Sequence, residues 1–161
     1  MRSFAEVEQA VKDYPVKDLS VAVAQDHTVL QAVSEAMKRG MVRAILVGDE
    51  LEIKRVAEEH QIDISDATII HERSPVRAAN TAAGLVGKGE ADILMKGHIH
   101  TDDFLRAVLN RDNGLRTGVI MSHVYLFEHP DRDQFLFMSD GAMNIAPDLE
   151  TKAAIILNAV H

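Results

Sequence analysis

A chain of 161 residues, 47% hydrophobic but only 4% aromatic and without Trp, has enough apolar material for a core made of aliphatic side chains and Met. A formal net charge of −8 argues against a nucleic-acid partner, which needs a basic face, but leaves room for a small phosphorylated ligand. Cys is absent, which excludes disulfides, thiolate metal sites and a cysteine nucleophile. No apolar run is long enough to span a membrane, and MRSFAEVEQAVKDYP lacks a signal-peptide core, so the expected location is the cytoplasm.

In chain order, Phe4–Tyr14 has apolar residues at helical spacing and is stopped by Pro15. Leu19–Ala24 reads as a strand, Thr28–Lys38 as a helix ending at Gly40, Ala44–Val47 as a strand and Glu50–His60 as a helix. Thr68–Ile70 is a third strand; Ser74 then caps a helix with Pro75 at its first position, running to Val86. Gly84, Gly87 and Gly89 spell neither a dinucleotide fingerprint nor a P-loop and read as capping glycines. A strand over Asp92–Met95 and a helix over Asp102–Asn110 complete four βα units at spacings of roughly 25 residues, the pattern of right-handed crossovers. The apolar character of the strands, Ile93–Met95 included, predicts a parallel sheet covered on both faces by helices.

The pattern changes after Gly114. Thr117–Phe127 is a long strand candidate, paired through the turn His129–Asp133 with a strand over Gln134–Met138. A polar loop from Ser139 to Pro147 follows, and Asp148 caps a last helix over Leu149–His161. The expected division is a first α/β domain over residues 1–116 and the beginning of a second over 117–161.

The stretch with the most chemical content is ADILMKGHIHTDDFLRAVL, from Ala91 to Leu109. A strand that ends at Lys96-Gly97 and enters a helix N-terminus is a common way to build an anion site, from free first-turn amides, a close-approaching glycine and a mobile ammonium group. The alternative is an ordinary junction with Thr101 as N-cap and Asp102 and Asp103 neutralising the helix dipole. His98 and His100 lack further ligands at metal spacing, so a metal is not expected; His100 is a candidate to hydrogen-bond a phosphoryl or acyl oxygen, or is solvated. Arg106 either turns back toward this loop or pairs with Asp102. Asp140 and Asn144, in a loop leaving a strand, are of the type that lines clefts between domains. Ser122 and His123 are neighbours on a predicted strand and face opposite ways, which argues against a serine hydrolase.

Taken together, ILMKGHIHTDDFLRAVL, RTGVIMSHVYLFE and FLFMSDGAMNIAPDLETKAAIILNAV, with GEADILMKG just upstream, resemble the phosphate acetyl/butyryl transferase family over nearly the whole chain. The resemblance implies an α/β fold of the isocitrate/isopropylmalate dehydrogenase type with a cleft between two domains. It implies the reaction acyl-CoA + phosphate ⇌ acyl phosphate + CoA, with butyryl favoured as the acyl group. CoA is then a substrate and no cofactor is needed. By position, Lys96, Gly97, His100 and Thr101 match the family's substrate loop, with Arg106 nearby, and Asp140 and Asn144 match the polar loop toward the second domain. Family members are much longer, and the segment that completes the cleft and carries the Ser/Arg/Asp catalytic group is expected after His161. The residues present therefore offer no thiol-activating base, with His100 the one catalytic candidate. Apolar surface normally covered by that segment would favour a homo-oligomer, most simply a dimer.

Overall fold

The four apolar runs between residues 17 and 96 become strands of one parallel sheet in the computed structural model, which describes residues 2–160. The strands are β1 (Lys17–Ala22), β2 (Val42–Gly48), β3 (Thr68–His71) and β4 (Ile93–Lys96), in the order β3-β2-β1-β4. From β1 the chain steps outward through α2 (His27–Lys38), β2 and α3 (Glu50–Glu59) to β3. It then crosses back over the sheet through α4 (Pro75–Gly87) and enters β4 on the far side of β1. The direction of winding thus reverses between β1 and β4, the position at which open α/β sheets leave a crevice at their carboxyl ends.

The sheet is covered on both faces, as the apolar strands require. Leu19, Val21 and Leu46 pack with Leu30 and Val33 of α2 and Ile53 and Val56 of α3. On the other face, Ala22, Val23 and Val47 pack with Ala78, Ala79, Ala82 and Ala83 of α4 and with Ala107 of α5 (Thr101–Leu109). Alanines along α4 let that helix lie close to the sheet, close enough for the buried Ser20 hydroxyl to donate to the Ala82 carbonyl at 3.1 Å. A side chain such as Leu46, fully buried, contributes roughly 2 kcal/mol by leaving water. β4 differs from its expected burial. As an edge strand it has one neighbour, and Ile93 is 43% exposed. Gly84 and Gly87 also depart from expectation: both lie within α4, and only Gly89, at φ 74°, has a capping conformation.

By packing, residues 15–116 form one compact unit and residues 2–14 with 117–160 a second. The helix α1 (Phe4–Val11), placed by sequence in the first domain, belongs to the second unit, where Phe4 meets Phe135 at 5.3 Å between ring centres. That unit contains an antiparallel hairpin of β5 (Tyr125–Glu128) and β6 (Phe135–Met138), as its turn residues predict, and the helix α6 (Leu149–Val160). The end of the last helix at His161 lies outside the described residues. The Asp148 carboxylate accepts from the Thr151 amide at 2.8 Å, the cap read from sequence.

The long strand expected over Thr117–Phe127 is not formed; only Tyr125 onward pairs. Gly118 is left-handed at φ 81°, and side chains take the place of a neighbouring strand. Asn158 donates to the Ile120 carbonyl at 2.8 Å, Asn144 to Met121 at 3.0 Å and the Ser139 hydroxyl to His123 at 2.8 Å. Ser122, also outside any strand, accepts from Asn158 at 3.0 Å. Among the described residues no helix is long and apolar enough to cross a membrane.

Candidate anion-binding site

The loop after β4 is held against the end of β1 by main-chain bonds. The Gly97 amide donates to the Ala22 carbonyl and the His98 amide to the Val23 carbonyl, both at 2.8 Å. A Cβ at position 97 would overlap both carbonyl oxygens, so the close approach of β1 and the residue after it already requires glycine here. Val23 itself sits at φ 59°, a strained conformation for a β-branched residue, and is fully buried. This kink turns its carbonyl toward His98 while the next amide, of Ala24, still donates to Val47 at 3.1 Å. Such strain persists only where the surroundings over-determine it, and here two neighbouring segments hold it.

With the amides of Gly97 and His98 engaged, and that of Ile99 donating to Gly97 at 3.0 Å, the donors left open lie further along. Among the described residues nothing accepts from the amides of His100, Thr101, Asp102 or Asp103. His100, not Thr101, is the N-cap of α5, and its side chain makes no capping bond. The other α-helices are capped by Ser3, Asp26, Asp49, Ser74 and Asp148, each accepting from a first-turn amide. Among the described residues, only at α5 is the first turn left without an acceptor, so an external anion can serve as one.

A cavity of about 550 Å³ lies at this turn. Lys96, Gly97, His98, Ile99 and His100 form one side, Asp103 of α5 another, and Pro75 and Val76 of α4 a third. Two helices thus begin at its wall, and their dipoles both favour negative charge there. Among the described residues Lys96 reaches no carboxylate; its ammonium lies 3.5 Å from the Gly97 carbonyl. The one carboxylate in the wall, Asp103, is paired with Arg106 at 3.0 Å. Arg106 therefore pairs one residue away from the expected Asp102, and in doing so neutralises the cavity's own negative charge. His98 lies 3.7 Å from Asp26, the cap of α2.

Of the residues singled out by sequence, Lys96, Gly97 and His100 stand in this wall, Thr101 opens the helix beside it, and Arg106 acts on it through Asp103. Pro75 and Val76 were legible only as a helix start, because another βα unit brings them here. Among the described residues no three His, Asp or Glu side chains are arranged to hold a metal ion.

Asp140 and Asn144 lie in the other unit and bond to each other. The Ala142 and Met143 amides, each at 3.0 Å, and the Asn144 carboxamide all donate to the Asp140 carboxylate. The Ala142 amide does most to hold its carboxyl down to about 2; burial, next in size, opposes it, and the Met143 amide, the Asn144 carboxamide and the His123 main chain add to the lowering. Both side chains are engaged in shaping their own loop.

The phosphate acetyl/butaryl transferase family model matches residues 4–81 and 73–161. Phosphate butyryltransferase of Clostridium beijerinckii is 43% identical over 159 residues, covering 99% of this chain and 53% of its own. That of Clostridium acetobutylicum is 46% identical over 160 residues, with the same coverage of 99% and 53%. A branched-chain phosphotransacylase structure from Enterococcus faecalis superposes with a TM-score of 0.74 at 29% identity, over 89% of this chain and 50% of that one. The chain spans about half the length of the curated relatives it matches. With both matched segments together running through nearly every residue, the chain belongs to the phosphate acetyl/butaryl transferase family.

Proposed function

We propose that this chain carries the phosphate-handling part of a phosphate acyltransferase that moves a short acyl group, butyryl foremost, between CoA and inorganic phosphate. In the forward reaction a phosphate oxygen attacks the thioester carbonyl carbon. The C–S bond then breaks, and CoA leaves as the thiolate, which takes up a proton. Lys96 and the open amides of the α5 first turn hold the phosphate, and His100 and Thr101 supply further donors to a phosphoryl or acyl oxygen. Most of the rate gain in such a reaction comes from fixing two bound reactants against each other and from donors aimed at the developing oxyanion. No prosthetic group enters this reading; acyl-CoA and phosphate are the partners, and the setting is the cytoplasm, with the protein acting as a homo-oligomer.

The observation that carries the reading is the uncapped start of α5 facing a cavity whose wall carries a lysine with no carboxylate partner among the described residues. Butyryl rather than acetyl rests on the names of the two Clostridium relatives. The test is release of free CoA thiol from butyryl-CoA in the presence of phosphate, with acetyl-CoA in parallel. Turnover that needs phosphate, is faster with butyryl-CoA and is reduced in Lys96→Met supports the reading, whereas phosphate-independent thiol release refutes it. The coverage of about half of each relative favours a second reading, an anion- or CoA-binding part without turnover of its own. Calorimetric phosphate binding that Lys96→Met weakens, with no CoA release, is the result that selects it.

A further inference from the structure

The second turn of α4 carries a half-buried polar residue, Asn80, beside the buried alanines that face the sheet. Its carboxamide makes bonds in two directions. The Nδ2 group donates to the Val76 carbonyl at 2.8 Å, and Val76 is part of the cavity wall. The Oδ1 atom accepts from Asn110 and from Asn113, each at 3.0 Å. These two residues bracket the short 3-10 turn Arg111–Asn113 that follows α5. Asn113 uses its other proton on the Ala107 carbonyl of α5, at 2.8 Å.

The glycines of α4 complete the seat. Asn80, Gly84 and Gly87 recur at helical spacing and share one side of the helix. A Cβ at Gly87 would overlap the Asn113 carbonyl oxygen, so this glycine exists to let the turn rest on the helix. Helices α4 and α5 consequently run side by side, with both first turns at the cavity and α5's exit locked to α4 by amide groups.

We propose that Asn80 is a positioning residue for the anion site: by tying the first turn of α4 to the exit of α5 it fixes the two helix starts relative to each other at the cavity wall. This rests on the phosphate reading of the cavity. Bound geometry tolerates little slack, since a displacement of about 1 Å in a supporting group costs up to 100-fold in function. Asn80 touches no ligand itself. Its effect passes through Val76 on one side and through Asn110, Asn113 and the body of α5 on the other.

The experiment is calorimetric titration of inorganic phosphate into the protein and the variants Asn80→Ala, Asn113→Ala, their double variant and Asn110→Ala, with thermal unfolding of each. Ser34→Ala is the control. It breaks a hydroxyl bond to the Asp63 carbonyl at 2.7 Å in the α2 layer and so destabilises the same unit without touching α4 or α5. The expected result is phosphate binding weakened roughly tenfold in Asn80→Ala and in Asn113→Ala, with no further loss in the double variant. Ser34→Ala should lower the unfolding midpoint and leave phosphate affinity unchanged. Asn110→Ala, which removes one of the two donors, should show a smaller loss in the same direction and carries the test if Asn80→Ala does not fold. Wild-type phosphate affinity in Asn80→Ala or Asn110→Ala, or additive losses in the double variant, overturns the role of Asn80 while the phosphate site stands. An equal loss in Ser34→Ala overturns it too, by tracing the effect to stability. No binding of phosphate by the wild-type protein overturns the cavity reading, and Asn80's part in it with it.

Discussion

The two compact units solve the problem of burial differently. In the βα unit, Val21, Leu30, Leu46 and Ile53 have no contact with water, and two layers of helices close the sheet. In the hairpin unit, α6 buries only Ile155 among its described residues, while Leu149, Ile156 and Val160 are 84%, 63% and 79% exposed. Phe127, Leu136 and Phe137 of the hairpin are also open. Order in this unit comes instead from directed polar bonds, chiefly those of Asn144, Asn158, Ser139 and Asp140 to the main chain. The contrast teaches that the candidate anion site stands on the unit with the buried core, whereas the other unit presents an apolar face that its own described residues do not cover.

The sharpest way to break the comparison is to remove equal amounts of side chain from each unit. Leu46→Ala should cost about 2–5 kcal/mol, because the sheet cannot collapse onto the space left behind. Ile156→Ala should cost no more than about 0.5 kcal/mol, since most of that side chain is already in water. Urea unfolding followed by far-ultraviolet circular dichroism measures both. Equal losses would mean that the exposed face of α6 is covered in solution. A second, smaller effect is expected at the seam that carries the site. Gly97→Ala forces a methyl group against the Ala22 and Val23 carbonyls. The loop must shift away from β1, at a cost of about 1–3 kcal/mol, and phosphate binding should fall with it. A Gly97→Ala protein that keeps wild-type stability would show that the loop is not held by β1.

Much of the βα unit is legible in the chain because each strand is a short apolar run and each helix repeats with its own period and cap. The strand order is not, since nothing local to Ile93–Lys96 says that its partner is β1, far earlier in sequence. The same long-range pairing explains why β4 is half exposed although its residues are apolar, and why a Cβ at Gly97 would meet the end of β1. Lys96 and His100 could be found because one local motif carries them; Pro75, Val76 and Asn80 could not, since α4 brings them from a different βα unit. Gly84 and Gly87 look like the end of a helix by composition, and only the turn resting on them reveals close packing. In the hairpin unit the run Thr117–Phe127 has strand composition, yet a strand needs a neighbour to accept its bonds. Side chains of Asn144, Asn158 and Ser139, distant in sequence, bond to it instead.

The smallest predicted effect sharpens the comparison at the polar loop of the hairpin unit. Asp140 is held ionised by the Ala142 and Met143 amides and the Asn144 carboxamide, with its carboxyl lowered from 3.8 to about 2. A group whose folded value lies below its unfolded one stabilises the folded form above the unfolded value and loses that contribution as pH falls through the folded one. The loop from Ser139 to Pro147 should therefore stay ordered at pH 5 and loosen as pH is lowered from about 4 toward 2, before the buried sheet of the βα unit responds. Amide resonances of Ala142 and Met143 report it directly: their titration midpoint should lie near 2. Asp140→Asn should abolish that titration, because a carboxamide keeps one acceptor oxygen but has no proton to take up in this range. A midpoint at the ordinary carboxylate value, or unchanged amide titration in Asp140→Asn, would show that these bonds do not hold the loop, and that some other contact orders this side of the molecule.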